Sequence, residues 1–169
     1  MPTDAQLTFA DHTGRFYARR FGFAPMVGRL IGYLATCDPP DQTIAELAEA
    51  LLASRSAITG AVKVLEAIGV VSRSRAAGER MDRVRIDMGS QRSLGMDITE
   101  YQEMSELARE GLEVVRDAPP ERQAVLRGMA ALADFLVERI PVLRKEWQVR
   151  VDALVASGEL LDLSWRGER

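Results

Sequence analysis

The chain has 169 residues, 22 basic and 25 acidic side chains, a formal net charge of -3 and an apolar fraction of 47%. This composition predicts one soluble domain, or one domain with an extension, that needs no disulfide or structural metal to form a core. The single cysteine, Cys37, cannot form an internal bridge, no apolar run is long enough for a membrane span, and residues 1–6 lack a signal-peptide pattern. We therefore expect a cytoplasmic protein without a membrane partner, and the net charge by itself argues against a nucleic-acid partner.

Two helices are predicted before the proline-rich break at residues 38–41. Thr3 and Gln6 have the spacing of a capping box, and apolar or small residues then recur at intervals of three and four, which predicts about five helical turns. These positions are Leu7, Ala10, Gly14, Tyr17 and Phe21. A second helix is predicted over residues 25–37 by the same periodicity. Its apolar face consists of Val27, Leu30, Ile31 and Leu34. Two prolines end it.

A compact pattern then predicts a winged helix-turn-helix. Thr43 and Glu46 form a second capping box before a short helix over residues 44–51, and Ser54 is a suitable N-cap for a third helix that ends at Gly69. The inward face of this third helix consists of Ile58, Val62, Leu65 and Ile68. Alternating runs at residues 70–75 and 83–87, joined by residues 76–82, predict a two-stranded wing. Three helices followed by a hairpin are typical of this DNA-binding motif.

The second half of the chain is predicted to be helical. One amphipathic helix covers residues 98–117, and Pro119 and Pro120 open another. The second carries nine apolar positions at a helical period through Pro141, which predicts one long helix kinked at that proline, with two helices as the alternative. These positions are Val125, Met129, Leu132, Leu136, Ile140, Leu143, Trp147, Val151 and Leu154. A stripe of this length needs an apolar partner, and a second subunit is the natural one.

The predicted fold class is mainly α, a winged helix-turn-helix with a two-stranded wing and long dimerisation helices. The predicted segments are an N-terminal helix at residues 1–22, a DNA-binding domain at 23–90, a dimerisation region at 96–157 and a tail at 158–169. The tail is expected to be frayed, apart from a contact by Leu160, Leu161 and Trp165.

The charge is distributed unevenly along the chain, and this distribution reverses the inference that the net charge argues against a nucleic-acid partner. Residues 54–85 hold seven basic and three acidic side chains, or +4, whereas the rest holds 15 basic and 22 acidic side chains, or -7. The segment that a winged helix-turn-helix presents to DNA is therefore the basic part of an acidic protein.

Polar side chains cover the outward face of the third helix, as a helix in the major groove requires. We predict DNA contacts from this face and from the wing. The candidate residues are Ser54, Arg55, Ser56, Thr59, Lys63, Arg73, Arg75, Arg80 and Arg83. Arg80, near the tip, is the best candidate for a minor-groove or phosphate contact, whereas Arg85 is left out of the set because its role can be limited to pairing with a strand neighbour. Gly60 is interpreted as room for the DNA backbone or for a neighbouring helix.

These residues resemble the MarR family of bacterial transcriptional regulators, and within it the GbsR-like branch. The matching segments are Asp38-Pro39-Pro40, residues 44–51, Ala53-Ser54-Arg55-Ser56, residues 65–71 and Gly78-Glu79-Arg80. The wing continues as Met81-Asp82, where the family tends to carry Asp-x-Arg. The resemblance covers about the first 90 residues well. It implies a homodimer that binds a pseudo-palindrome in double-stranded DNA as a repressor. It also implies a small-molecule effector, with a choline-type cation suggested by the branch.

Other functional classes fit the sequence less well. His12 is the only histidine, so the chain has neither a zinc cluster nor a Ser/His/Asp or Cys/His set, and we predict no enzyme, metal or cofactor. Cys37 is interpreted as a small buried hydrophobe, with a redox sensor as the alternative. An aromatic effector pocket at Tyr17, Tyr33, Tyr101, Phe135 and Trp147 competes with a plain core role for these side chains. The main rival function is a winged-helix module that binds protein instead of DNA.

Overall fold

The computed structural model describes residues 1–75, 78, 80–87, 89, 92 and 94–160. Its helices and strands, in chain order, are α1 (Asp4–Phe21), α2 (Pro25–Leu34), β1 (Gln42–Thr43), α3 (Ile44–Ala50), α4 (Arg55–Ala67), β2 (Val71–Ser74), β3 (Arg83–Ile86), α5 (Ile98–Val114) and α6 (Pro120–Ala156). The chain divides into two compact units, residues 1–93 and 94–169. Glu79 of the predicted wing and Leu161 and Trp165 of the predicted tail lie outside the described residues.

The helix starts follow the capping signals of the sequence. The Thr3 and Thr43 side chains each accept a hydrogen bond from the N3 amide of the helix that follows, and the N3 side chain accepts one from the cap amide, so both capping boxes are formed. The Ser54 hydroxyl accepts from the Ala57 amide at 3.2 Å and caps α4. Each cap satisfies a backbone donor that the first helical turn leaves without a partner.

The core of the first unit forms where α2, α3 and α4 meet the sheet. Leu30, Leu47, Ile58, Leu65 and Val84 are fully buried at its centre. The sheet is antiparallel and three-stranded in the order β1-β3-β2, with Thr43 opposite Arg83 and Ser72 opposite Arg85. The wing is therefore fixed to the helical core through β1, which immediately precedes α3.

Glycines allow α1 and α2 to cross at very short range in the first unit. A Cβ added to Gly28 would lie 2.8 Å from both the Gly14 Cα and the Thr13 carbonyl oxygen, and one added to Gly32 would lie 2.8 Å from the Ala10 Cα. These neighbours are backbone atoms, which cannot move aside as the end of a flexible side chain can. The small residues of α1 and α2 therefore set the distance between the two helices.

The second unit is an antiparallel pair of helices whose turn is held by a buried glutamine. The Gln123 side-chain amide donates to the carbonyl oxygens of Val115, Arg116 and Ala118 at 2.8–3.2 Å. Farther along the pair, the buried Ser105 hydroxyl donates to Asp134 at 2.6 Å. These bonds satisfy carbonyls at the end of α5 and fix its alignment against α6.

Several details differ from the predictions. The second helix ends at Leu34 and not at Cys37, and the first strand of the sheet, only two residues long, was not predicted because it is too short to show alternation. The final helix is continuous through Pro141, so the alternative of two helices is wrong. Its predicted stripe is not uniformly buried, since Val151 is 1% exposed whereas Val125 is 71% exposed. Among the described residues, no helix combines the length and apolarity that a membrane span requires.

We predict that Gly28→Ala destabilises the protein although alanine is the better helix former. The added methyl group would overpack the crossing of α1 and α2, at a net cost of about 1–2 kcal/mol after the gain in helix propensity. Urea unfolding at a fixed protein concentration measures the change. The matched control is Gly60→Ala in α4, where an added Cβ meets nothing within 4 Å, and which should raise stability by about 0.5–1 kcal/mol. Equal effects of the two variants would contradict this account of the crossing.

Candidate nucleic-acid interface

The outward face of α4 is polar and open to solvent. Arg55, Ser56, Gly60 and Lys63 are exposed, and Thr59 is half-buried, with its hydroxyl donating to the Arg55 carbonyl at 2.8 Å. On the opposite face Ile58, Ala61, Val62 and Leu65 are buried. The helix therefore presents one polar surface, as the sequence predicts, and its N-terminus, capped by Ser54, carries amides that suit a phosphate.

A basic hollow lies between the start of α4 and the wing. It has a volume of about 270 Å³ and is lined by residues from three separate segments of the winged domain. They are Thr43, Ile44 and Ala45 from the start of α3, Arg55 from α4, and Arg73, Arg75, Arg80, Met81 and Asp82 from the wing. Four arginines thus surround one concave surface whose single carboxylate is Asp82. Such a surface fits the phosphate oxygens of a nucleic-acid backbone.

Two of these arginines are held by carboxylates inside the winged domain. The Arg73 guanidinium makes a bidentate pair with Glu66 of α4, with distances of 2.7 and 3.0 Å. Arg75 donates to Asp82 at 2.7 Å across the hairpin, and this bond holds the pKa of Asp82 below its usual value. Both pairs fix the position of a wing arginine, and both reduce the charge that it can offer to a phosphate.

Arg83 is placed differently from the other wing arginines. Its guanidinium donates to the Asp41 carbonyl oxygen at 3.3 Å and lies 3.6 Å from the Glu46 carboxylate. Hydrogen bonds from Thr43 hold the pKa of Glu46 below its ordinary value, and the charge of Arg83 lowers it further. Arg83 therefore connects β3 to the start of α3, and its predicted DNA contact stays a prediction.

The remaining cations of this surface are available to a ligand. The side chains of Arg55, Lys63 and Arg80 are exposed and have no ion-pair or hydrogen-bond partner in the described part of the chain. The Arg85 side chain is likewise exposed and unpaired among the described residues, although the residue itself lies opposite Ser72 in the sheet. A Cβ added at Gly60 would meet nothing within 4 Å, so a neighbouring helix among the described residues does not explain this glycine.

Cys37 has the surroundings of a packing residue. Burial raises the pKa of its thiol, and the carboxylates of Asp38 and Asp41 raise it further, although a backbone hydrogen bond acts in the opposite direction. Because the thiolate is the reactive form, a raised pKa disfavours redox sensing. The described residues contain no group of side chains that could hold a metal ion.

The five aromatic residues of the predicted effector pocket are not brought together within either unit. Tyr17 stacks against Phe21 and Phe23, with ring centroids 5.5 and 6.4 Å apart, whereas Tyr33 lies in the core of the first unit. The other three belong to the second unit, in which Phe135 and Trp147 are separated by twelve residues, about 18 Å along α6. The five residues are thus divided between the two units, and the predicted pocket stays a prediction.

Comparison with known proteins decides the family. The chain is 32% identical over 131 residues to the HTH-type transcriptional regulator MmpR5 of Mycobacterium tuberculosis, covering 77% of this chain and 79% of that protein. A family model described as MmpR5-like MarR family transcriptional regulator matches residues 90–150. The chain belongs to the MmpR5-like MarR family. It is therefore a DNA-binding transcriptional regulator and not an enzyme.

A solved structure supports the fold of this MarR family member. A crystal structure of a transcriptional regulator has a TM-score of 0.77 and 29% sequence identity, and the likeness covers 85% of this chain and 98% of that one. The predicted MarR resemblance and winged fold are confirmed, whereas the GbsR-like branch is not confirmed. The family model matches the segment that contains α5 and most of α6, which lies beyond the first 90 residues that carry the resemblance. The hollow was not predicted from the sequence, because Thr43, Ile44 and Ala45, which form one of its walls, are uncharged.

We predict that Glu46 contributes stability to this MarR domain that depends on pH. Because the folded-state pKa of Glu46 is lowered, its contribution is present above the ordinary value of 4.5 and is lost as the pH falls through the folded-state pKa. Urea unfolding of the wild type and of Glu46→Gln from about pH 7 to about pH 3 measures the difference. The free energy of unfolding of the wild type should decline more steeply below about pH 5 than that of the variant. This role would be refuted if the free energies of unfolding of the wild type and Glu46→Gln declined in parallel as the pH falls. It would also be refuted if Glu106→Gln changed the pH dependence as much as Glu46→Gln does.

Proposed function

We propose that this regulator is a homodimeric repressor that reads a pseudo-palindromic operator with α4 and the wing and responds to a small ligand. Within each subunit, α4 would enter the major groove and Arg80 would reach the backbone or the minor groove at the wing. The contacts proposed for base edges and phosphates are those of Ser54, Arg55, Ser56, Thr59 and Lys63. The same proposal includes a cytoplasmic location, where the operator is accessible.

The observation that carries the proposal is the basic hollow between α4 and the wing. Its four arginines come from α4 and the wing, so a phosphate bound there would be held by both DNA-reading elements at once. The Arg73–Glu66 pair joins those same two elements. We propose that Arg73 and Arg75 mainly hold the wing in place, whereas Arg55, Lys63 and Arg80 supply the charge that neutralises phosphate. This assignment refines the predicted set without removing any of its members.

An uncovered apolar stripe on α6 supports the homodimer. Phe135, Val142 and Val149 are spaced by seven residues and are 56, 40 and 70% exposed. Val125 and Leu132, also seven residues apart, extend the stripe toward the start of α6 and are 71 and 54% exposed. A seven-residue apolar repeat is the pattern by which two helices pack along their length. A second copy of this chain supplies a matching stripe, and a two-fold dimer presents two copies of α4 to the two half-sites.

The repressor role and the effector are proposed on other grounds. A dimer bound to an operator would block transcription by covering the DNA, and this is the ground for the repressor role. Control by an effector is proposed from the family resemblance. A choline-type effector depends on the GbsR-like branch and stays a prediction. The rival function, a winged module that binds protein in place of DNA, is not supported, because the chain belongs to a family of transcriptional regulators.

We predict that Arg55→Ala combined with Lys63→Ala weakens operator binding about 100-fold at moderate salt. A dimer would lose four phosphate-facing cations, so the slope of log affinity against log salt should become shallower by about 3–4. For the wild type, about seven neutralised phosphates imply a loss of about 10³ to 10⁴ in affinity between roughly 50 and 200 mM salt. Fluorescence anisotropy with the DNA upstream of its own gene measures both quantities.

The controls for this experiment separate charge from position. Arg122→Ala combined with Lys145→Ala removes the same two residue types from exposed positions of α6 and should leave the salt slope unchanged. Gly60→Ala keeps every charge and should stabilise the fold, yet it should weaken DNA binding if the backbone of the duplex approaches α4 closely. A wild-type affinity that does not depend on salt, or equal binding by the Arg55 and Lys63 double variant, would refute the proposed interface.

We predict that Phe135→Glu dissociates the homodimer. In a two-fold dimer each subunit would place one glutamate charge in the proposed apolar contact. The contact would also lose both Phe135 rings, so self-association should weaken by about 100-fold or more. Sedimentation velocity over a range of protein concentrations measures the effect. Phe135→Leu keeps the position apolar and is expected to remain dimeric. A wild-type monomer, or a Phe135→Glu variant that remains dimeric at all concentrations, would refute this use of the stripe.

A further inference from the structure

A second concave surface lies in the first unit, among the ends of its helices. It has a volume of about 410 Å³, within the range of small-molecule sites, and is lined by the start of α1, the end of α2 with the residues that follow it, and α3. Its lining residues do not include any of the nine predicted DNA-contact residues, so the cavity is distinct from the basic hollow described above.

The lining of this cavity is acidic. It includes the carboxylates of Asp4, Asp38, Glu46 and Glu49, and no lysine, arginine or histidine side chain. Glu46 is engaged by Thr43 and Arg83, but the carboxylates of Asp4, Asp38 and Glu49 have no ion-pair or hydrogen-bond partner among the described residues. Met1, which carries the α-amino group of the chain, is also in the lining, so four carboxylates stand against that one positive group and the Arg83 guanidinium near Glu46. The cavity therefore holds an excess of negative charge.

Tyr33 provides an independent indication of a ligand. It is 6% exposed, lines the cavity, and its hydroxyl has no hydrogen-bond partner in the part of the chain that the structure describes. Burial raises the pKa of this hydroxyl, with Cys37 and Glu46 adding to the effect, so it stays protonated and can both donate and accept a hydrogen bond. Although the ring is buried, the hydroxyl oxygen itself remains accessible. A ligand in the cavity would therefore supply a partner for it.

The shape and lining of the site favour an organic cation over a metal ion. The described acidic residues do not form a group that could hold a metal. Apolar side chains share the lining with the carboxylates, including Leu7 and the 90% exposed Leu52 at the rim. A ligand that matches both features has an ammonium group and an apolar body.

We propose that this cavity binds an organic ammonium ion that carries N–H donors and an apolar body. Its ammonium group would donate to the Tyr33 hydroxyl and to the carboxylates of Glu49 and Asp38, and its apolar body would pack against Leu7 and Leu52. The proposal does not depend on how α4 reads DNA, because the cavity and the basic hollow have no lining residue in common.

Isothermal titration calorimetry of the full-length protein tests the proposal with three matched probes. We expect 2-phenylethylammonium to bind saturably and 2-phenylethanol, its neutral counterpart, to bind at least about tenfold more weakly. Trimethyl(2-phenylethyl)ammonium keeps the charge but has no N–H donor, so its affinity should lie between those two. Choline, titrated in the same way, tests the choline-type effector separately.

Two variants locate the binding site. Tyr33→Phe keeps the buried ring and removes only the hydroxyl, and Glu49→Gln removes one charge from an exposed side chain, so each should weaken 2-phenylethylammonium binding by about tenfold. Glu106→Gln, an exposed glutamate that does not line the cavity, should have no effect. Absence of saturable binding, equal affinity for the alcohol, or binding unaffected by both variants would overturn the proposal. Because Glu49 is exposed, its variant remains informative even if Tyr33→Phe fails to fold.

Discussion

The burial of one face of α4 is the constraint on which the rest of the winged domain depends. Ile58, Val62 and Leu65 are fully buried against the core, which fixes the rotation of the helix about its axis. Rotation by a single residue, about 100°, would turn the polar face away from solvent and bury charge, at a cost far above that of a surface rearrangement. Local capping by Ser54 starts the helix, but the apolar face determines which side chains a duplex can meet.

The wing depends on the same core through charge pairs as well as through the sheet. Arg73 is held by Glu66 of α4, and Arg83 is held near the start of α3, so two wing arginines connect β2 and β3 to the helices. Exposed ion pairs contribute little stability, typically less than about 1 kcal/mol, and their main effect here is on orientation. The unpaired cations at Arg55 and Arg80 lie on a scaffold that these pairs help to fix.

The sequence predicts the helices of this protein well because their signals are local. Capping boxes at Thr3 and Thr43, the Ser54 cap and the periodicity of α4 are all contained within a few residues, and the structure confirms each of them. Features that depend on partners distant in the chain were missed. The strand at Gln42–Thr43 exists only because β3 pairs with it, and the Arg73–Glu66 pair becomes evident only when β2 lies beside α4. The predicted stripe on α6 shows the same limit, since periodicity alone does not distinguish a face that packs on α5 from one left uncovered.

The two concave surfaces of the first unit share α3 as a wall. Thr43, Ile44 and Ala45 line the basic hollow, and Glu46, Glu49 and Ala50 line the acidic cavity less than two helical turns away. A ligand can change DNA affinity only to the extent that it binds the free and the DNA-bound forms differently, and the coupling is reciprocal. A cation in the acidic cavity would contact Glu46 and Glu49 of α3, whereas a phosphate in the basic hollow would lie beside residues 43–45 at the start of the same helix. A shift of α3 toward the cation would therefore change the shape of the hollow. The short helix between the two surfaces is thus the element through which effector binding and operator binding would be linked.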